Sequence, residues 1–220
     1  MNSYIKEFHN SLSTSLFEDI RENILSGKYQ AGEKITENRV CQEFGVSRTP
    51  VREAFKQLEL EGLITNIPNR GAYVLGFSKR DIQDIYEIRK AVEIIAIKWA
   101  IERIDSDELS ELQEAYDLME FYTMKNEQGK MMETNTRFHE IIYKSTRSRF
   151  LEQILKSYQI YIYKTKKVAL QSEAYLQDVL EEHKRILTSI YNKDFSEGEK
   201  AVFQHISNAQ KRAENNLPLF

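Results

Sequence analysis

The 220-residue sequence holds one cysteine, three prolines and eight glycines. A single cysteine cannot build a disulfide framework, so the fold must rest on a hydrophobic core. So few turn-forming residues favour long periodic segments and a mostly helical chain. No apolar run approaches the roughly 18 residues of a membrane-spanning helix, and the N-terminus lacks an apolar signal core. The expectation is a soluble, cytoplasmic protein with no membrane partner. Charge of one sign is also missing. With 31 Lys and Arg against 34 Asp and Glu the net charge is −3, so any binding to nucleic acid needs a local basic patch. Cys41 falls where a helix needs a small buried hydrophobe, which is the usual place of a free cysteine.

What is present begins with the stretch Ile35–Gly71, ITENRVCQEFGVSRTPVREAFKQLELEGLITNIPNRG. A short helix is expected over Glu37–Phe44, then a turn at Gly45-Val46-Ser47, then a second helix running to Gly62. Pro50 suits that helix's first turn, where the backbone N–H groups have no partner anyway. Ser47 or Thr49 can cap it. Val51, Ala54, Phe55 and Leu58 recur at i, i+3, i+4 and i+7 and form an inward stripe. Arg48 and Arg52 lie off the stripe. Two helices joined by a glycine turn, the second offering Ser, Thr and Arg near its start, can enter a major groove.

Around this pair, residues 1–10 are polar and expected to be loose. Ser11–Ser26 is periodic in Leu12, Leu16, Ile20, Ile24 and Leu25, stops at Gly27, and would buttress the pair. A connector follows over Lys28–Lys34. After Gly62, Leu63–Asn66 and Ala72–Leu75 read as a hairpin, a wing whose tip carries Arg70 and Gly71. The chain then changes character. A hinge is expected at 76–78, and Ser78 to Asp81 resembles a capping box. Six helices are expected at about 79–103, 107–126, 129–145, 148–170, 173–192 and 194–214, with Asp105-Ser106, Ser148, Ser172 and Asp194 at their starts. The fold class is therefore mainly α: a winged helix-turn-helix over 1–75, then an all-α helical bundle over 79–220.

Gly27, Gly32-Glu33, Glu37, the run GVSRTPVREA (45–54), Leu58, Glu61-Gly62-Leu63 and Gly71 together resemble the winged helix-turn-helix of the GntR family of bacterial transcription regulators. The helical remainder resembles the FCD-type effector and dimerisation domain of the FadR branch, its six helices matching the shorter, VanR-like members. The resemblance implies a homodimer on a near-palindromic double-stranded operator. It implies DNA contacts from Arg48 and Arg52, with Ser47 and Thr49 beside them, and from the wing tip Arg70-Gly71. Glu37-Asn38-Arg39 departs from the best-known member, which has an arginine at the place of Asn38. Asn38 can still hydrogen-bond a base edge or a phosphate.

Of four histidines, His139, His183 and His205 fall in separate expected helices, each flanked by apolar positions. Asn135 precedes His139 by four residues, on the same helical face. The set resembles the FCD metal site, with Asn135, His139, His183 and His205 at the ligand positions. Three neutral imidazoles suit a divalent transition metal, Zn2+ first, with Ni2+ or Mn2+ also fitting. Such a site implies capture of a small organic acid, and Arg89 matches the family arginine that faces the pocket. Its simplest local partner is Glu93 at i+4. The run Tyr158–Tyr163 reads as packing surface, Lys164–Lys167 as a solvated helix end, and Asp178–Glu182 as a solvated face.

The leading expectation is a ligand-responsive transcription regulator that is not an enzyme. Its effector would act on the DNA-reading heads through the hinge. The alternatives are a DNA-binding protein whose helical domain only dimerises, and a metal-dependent hydrolase. For the hydrolase no general-base motif stands out, and it would leave the first 75 residues without a role.

Overall fold

The computed structural model describes residues 2–67, 70–75, 78–158 and 173–216. It contains two compact units, Met1–Ser78 and Lys79–Phe220.

The first unit opens with α1 (Asn2–Leu25). This helix begins well before Ser11, because the polar segment ahead of it holds no proline or glycine to stop it. Leu16, Phe17, Ile20, Ile24 and Leu25 are buried, and α1 packs on α3. Within the connector, Tyr29 is buried and donates to Glu43 Oε2 at 2.6 Å, while Lys28 Nζ donates to Glu43 Oε1 at 2.8 Å. The connector is thereby tied to α2 (Glu37–Phe44). Thr36 caps α2 by accepting from the Arg39 N–H. Gly45 ends it at φ +67°, a left-handed conformation that glycine adopts without strain. In α3 (Arg48–Leu60), Val51, Ala54, Phe55 and Leu58 are all buried, as the stripe requires, and so is Pro50. Ser47 occupies the cap position but its side chain makes no capping bond. Cys41 is half-buried rather than a core residue.

The wing is larger than the expected hairpin. β2 (Ile64–Ile67) and β3 (Gly71–Val74) pair antiparallel, Thr65 opposite Tyr73. A third strand, β1 (Lys34–Ile35), pairs with the far edge of β3, giving the order β1-β3-β2. Two residues are too few to show any period in the sequence, so the pairing had no local signal. The turn residues 68 and 69 lie outside the described residues, as do 76 and 77 of the expected hinge.

Burial raises the Tyr29 hydroxyl pKa, helped by its bond to Glu43. The Lys28 ammonium and then Tyr29 hold the Glu43 carboxyl below its ordinary value of 4.5. A carboxylate depressed on folding contributes stability above its ordinary pKa and loses it as the pH falls. Thermal melts should therefore show the chain losing stability as pH drops through about 4.5, with a shallower loss for Glu43→Gln.

The second unit comprises α4 (Lys79–Arg103), α5 (Ser106–Met124), α6 (Gln128–Ser145), α7 (described over 149–158), α8 (Glu173–Tyr191) and α9 (Phe195–Asn216). Ser172 and the expected helix beyond residue 158 lie outside the described residues, as do Lys164–Lys167 and the Tyr158–Tyr163 run past its first residue. Asp105 and Glu108 form a capping box at the start of α5. Arg147 donates to both carboxylates, clamping the α6–α7 corner onto that helix start. Asp194 accepts from the Glu197 N–H at the start of α9. There α9 runs close to α4 and α8: a Cβ on Gly198 would lie 3.0 Å from Ile101 Cδ1 and 3.1 Å from Ser189 Oγ. A larger residue would make these side chains give way, so glycine suits this close approach of α9 to its neighbours. Among the described residues, no helix is long and apolar enough to cross a membrane.

Candidate metal centre and nucleic-acid interface

Three helices of the second unit supply the histidines. α6 carries Asn135 and His139 one turn apart, α8 carries His183, and α9 carries His205. All four residues are buried. The donor nitrogens of the three histidines lie within 4.8 Å of one another. The His183 and His139 Nε2 atoms are 3.2 Å apart. Two nitrogens bound to one tetrahedral ion at about 2.0–2.1 Å would stand about 3.3 Å apart. The contact therefore fits either the edge of a metal polyhedron or a hydrogen bond with the proton on His139 Nε2.

Their neighbours select the tautomers. His183 Nδ1–H donates to the Val179 carbonyl at 2.7 Å, and His205 Nδ1–H donates to Glu182 Oε2 at 2.8 Å. Both rings then turn an unprotonated Nε2 towards the shared centre, the arrangement of metal-bound histidines with orienting partners. Phe138 packs edge-on against the His183 ring at 5.0 Å and shields it. The Asn135 amide is buried, and among the described residues its Nδ2 has no hydrogen-bond partner. Turning the amide over, which exchanges two groups of nearly the same shape, would present a carbonyl oxygen instead. Three imidazoles and one amide oxygen are a donor set that fits a divalent transition metal.

Arg89 on α4 is also interior, its side chain 3% exposed. The expected i+4 pair is made: Arg89 Nε donates to Glu93 Oε1 at 2.7 Å. The Tyr143 hydroxyl donates to the same oxygen at 2.8 Å, and the Tyr143 ring lies 6.0 Å from that of His139. A chain of contacts thus joins the histidines to Arg89. Burial alone would push the guanidinium pKa down; Glu93, with the tyrosines Tyr143 and Tyr86, more than reverses this, so Arg89 stays charged. Burial, and then the Glu93 charge, hold Tyr143 protonated. Among the described residues, Arg89 Nη1 is buried with no hydrogen-bond partner. An orphaned donor on a buried cation is a vacancy for an anionic oxygen. Tyr143→Phe should lower stability by about 1–2 kcal/mol, since Glu93 keeps Arg89 but loses one buried bond; urea unfolding checks this.

The acidic run Asp178–Glu182 is only partly a solvated face. Asp178 and Glu181 are exposed. Glu182 turns inward, its side chain 11% exposed, and its carboxylate engages His205, Asn208 and Arg212. The reason is helical phase: Glu182 lies beside the α9 contact, three residues past Val179, while Asp178 and Glu181 point away. Nothing local marks it, because its partners lie 23 to 30 residues further along. Tyr143 was more accessible to reasoning, being four residues past His139 on the same face of α6.

In the first unit, Ser47, Arg48, Thr49 and Arg52 are exposed along the first turns of α3. Arg52 Nε donates to both oxygens of Glu37, at 2.9 and 3.0 Å, rather than pairing with Glu53 or Glu59. Arg48 Nη2 donates to Asn38 Oδ1 at 3.1 Å. The start of α2 and the start of α3 therefore share one polar face. Arg39 is held apart from it, paired with Glu33 and lying 5.2 Å above the Tyr29 ring. Arg70 and Gly71 are exposed at the wing.

Comparison with known proteins adds the following. Residues 12–74 match the family model described as bacterial regulatory proteins, gntR family, and residues 84–208 match the FCD domain. The galactonate operon transcriptional repressor of Escherichia coli (strain K12) is 27% identical over 214 residues, covering 87% of this chain and 92% of its own. The gluconate operon transcriptional repressor of Bacillus licheniformis is 26% identical, covering 90% and 83%. Among solved structures, E. coli McbR/YncC superposes with a TM-score of 0.70 at 21% identity, over 90% of this chain and 94% of that one.

Proposed function

The chain belongs to the GntR family of bacterial regulatory proteins and carries an FCD domain, and from that premise we propose that this DNA-binding transcription regulator, which is not an enzyme, senses a small carboxylate at a metal and binds its operator as a homodimer. The observation that carries the sensing role is the buried cluster of His139, His183 and His205, whose donor nitrogens converge, two of the rings being oriented through Nδ1 by Val179 and Glu182. These three residues and Asn135 would hold the ion, Zn2+ first and Ni2+ or Mn2+ next. When bound, it supplies a Lewis-acid seat for a carboxylate oxygen. Arg89, with a buried donor to spare, would fork a carboxylate of the same effector. Glu93 and Tyr143 hold that guanidinium still. The relatives named for galactonate and gluconate operons agree with an acidic effector, as both acids are carboxylates.

On the DNA side, Arg48 and Arg52 would read bases or phosphates from α3. Ser47, Thr49 and Asn38 would contact the backbone, and Arg70-Gly71 the minor groove. Residues 1–75 would form the reader and 79–220 the sensing and dimerising domain, coupled through 76–78. A two-fold dimer suits a near-palindromic operator. Coupling between effector and operator would fall in the usual range of about 1–3 kcal/mol.

The test begins with elemental analysis and sedimentation of the purified chain. A duplex selected from a randomised pool is then titrated by fluorescence anisotropy with and without a panel of small carboxylates. We expect a metal-bearing dimer whose operator affinity shifts about 5- to 150-fold with one acid. A metal-bearing dimer indifferent to every carboxylate would remove the sensing role and leave the helical domain a dimeriser.

A further inference from the structure

One carboxylate joins α8 to α9. Glu182 Oε2 accepts from His205 Nδ1 at 2.8 Å and from Arg212 Nη2 at 2.9 Å. Glu182 Oε1 accepts from Asn208 Nδ2 at 2.7 Å and from Arg212 Nη1 at 3.0 Å. All four donors lie on α9, spread over two turns. On α8 the next residue is His183. A single turn of α8 therefore supplies one imidazole of the cluster and the group that orients another.

Two physical consequences follow. First, each carboxylate oxygen already accepts two hydrogen bonds, which uses the lone pairs that could bind an ion. Glu182 therefore cannot swing in as a ligand while Arg212 forks it. Second, a ring whose Nδ1–H is held by a carboxylate has its tautomer, its rotation and its donor strength set from outside the first shell of ligands. His183 has a backbone carbonyl in that place. The donor strength of His205 is thus set by a charged group.

We propose that Glu182 is the positioning residue of the metal centre: it holds His205 with Nε2 on the ion, while Arg212 keeps the carboxylate in its orienting place and out of the coordination sphere. The proposal rests on the metal-site reading above. Asn208 shares the carboxylate but touches no histidine in these contacts, so Asn208→Ala loosens α8 against α9 without releasing His205.

The test uses the full-length chain, stripped of metal and titrated with Zn2+ against a chromophoric chelator, with Co2+ substitution to read coordination from its visible spectrum. Glu182→Gln and Glu182→Ala are expected to weaken Zn2+ binding about 10- to 100-fold, the usual effect of losing an outer partner of a ligand. Both should change the Co2+ spectrum. Asn208→Ala should stay within about threefold of wild type and keep its spectrum. Should Glu182→Ala fail to fold, Glu182→Gln, which preserves shape, carries the measurement. Wild-type affinity in the Glu182 variants would overturn the proposal while leaving the metal site standing. An equal loss in Asn208→Ala would also overturn it, since helix packing alone would then explain the effect. A wild-type chain that takes up no Zn2+ or Co2+ would instead remove the metal-site reading itself.

Discussion

Arg52→Ala is expected to abolish specific operator binding while the fold and the dimer persist. The side chain stands on α3 with 61% of its surface exposed, off the buried stripe of Val51, Ala54, Phe55 and Leu58. Among the described residues its partner is Glu37, and an exposed ion pair adds little to stability. Truncation therefore leaves the core intact. A guanidinium forked onto a base edge is worth roughly a tenfold to hundredfold discrimination, and a symmetric dimer loses it in both half-sites. Arg52→Lys should not restore binding, because an ammonium cannot make the two-pronged contact. Anisotropy titration of a selected duplex, with thermal melts and sedimentation alongside, reads all of these. Wild-type affinity in Arg52→Ala would sink the assignment of this face.

His183→Ala is expected to cost more than about 100-fold in metal affinity, since an inner ligand matters more than the outer partners that cost 10- to 100-fold. His183 is fully buried between His139, His205 and Phe138, and its loss leaves two imidazoles and an amide. The stabilisation that metal confers should vanish with it. A ligand at 100 times its dissociation constant stabilises by about 2.7 kcal/mol. Adding a chelator should lower the melting temperature of the wild type and leave that of the variant unchanged. The variant should still bind operator but no longer respond to effector. A chelator-sensitive melting temperature in His183→Ala would place the ion elsewhere.

Much of this molecule is visible along the chain. The α3 stripe, the glycine turn and the long helices of the second unit follow from spacing, because a helix repeats its environment every three to four residues. The histidines could be suspected from the sequence, since each sits among apolar residues of its own helix. Other features leave no local trace. β1 is two residues long and exists through its pairing with β3. Cys41, apolar by type, is half-buried because it lies at the margin of a short helix. Arg39, beside Asn38 in sequence, points to Glu33 and Tyr29 instead.

The sequence by itself therefore determined the order of the helices, the family, and which face of α3 is left exposed, all of which depend on neighbours within a few residues. The tertiary structure alone decided that His139, His183 and His205 share one centre, that Arg89 is buried with a donor to spare, and that Glu182 belongs to His205 rather than to solvent. Those facts depend on the rotation of α6, α8 and α9 about their own axes. That rotation is set by packing across the bundle, between residues far apart in the chain.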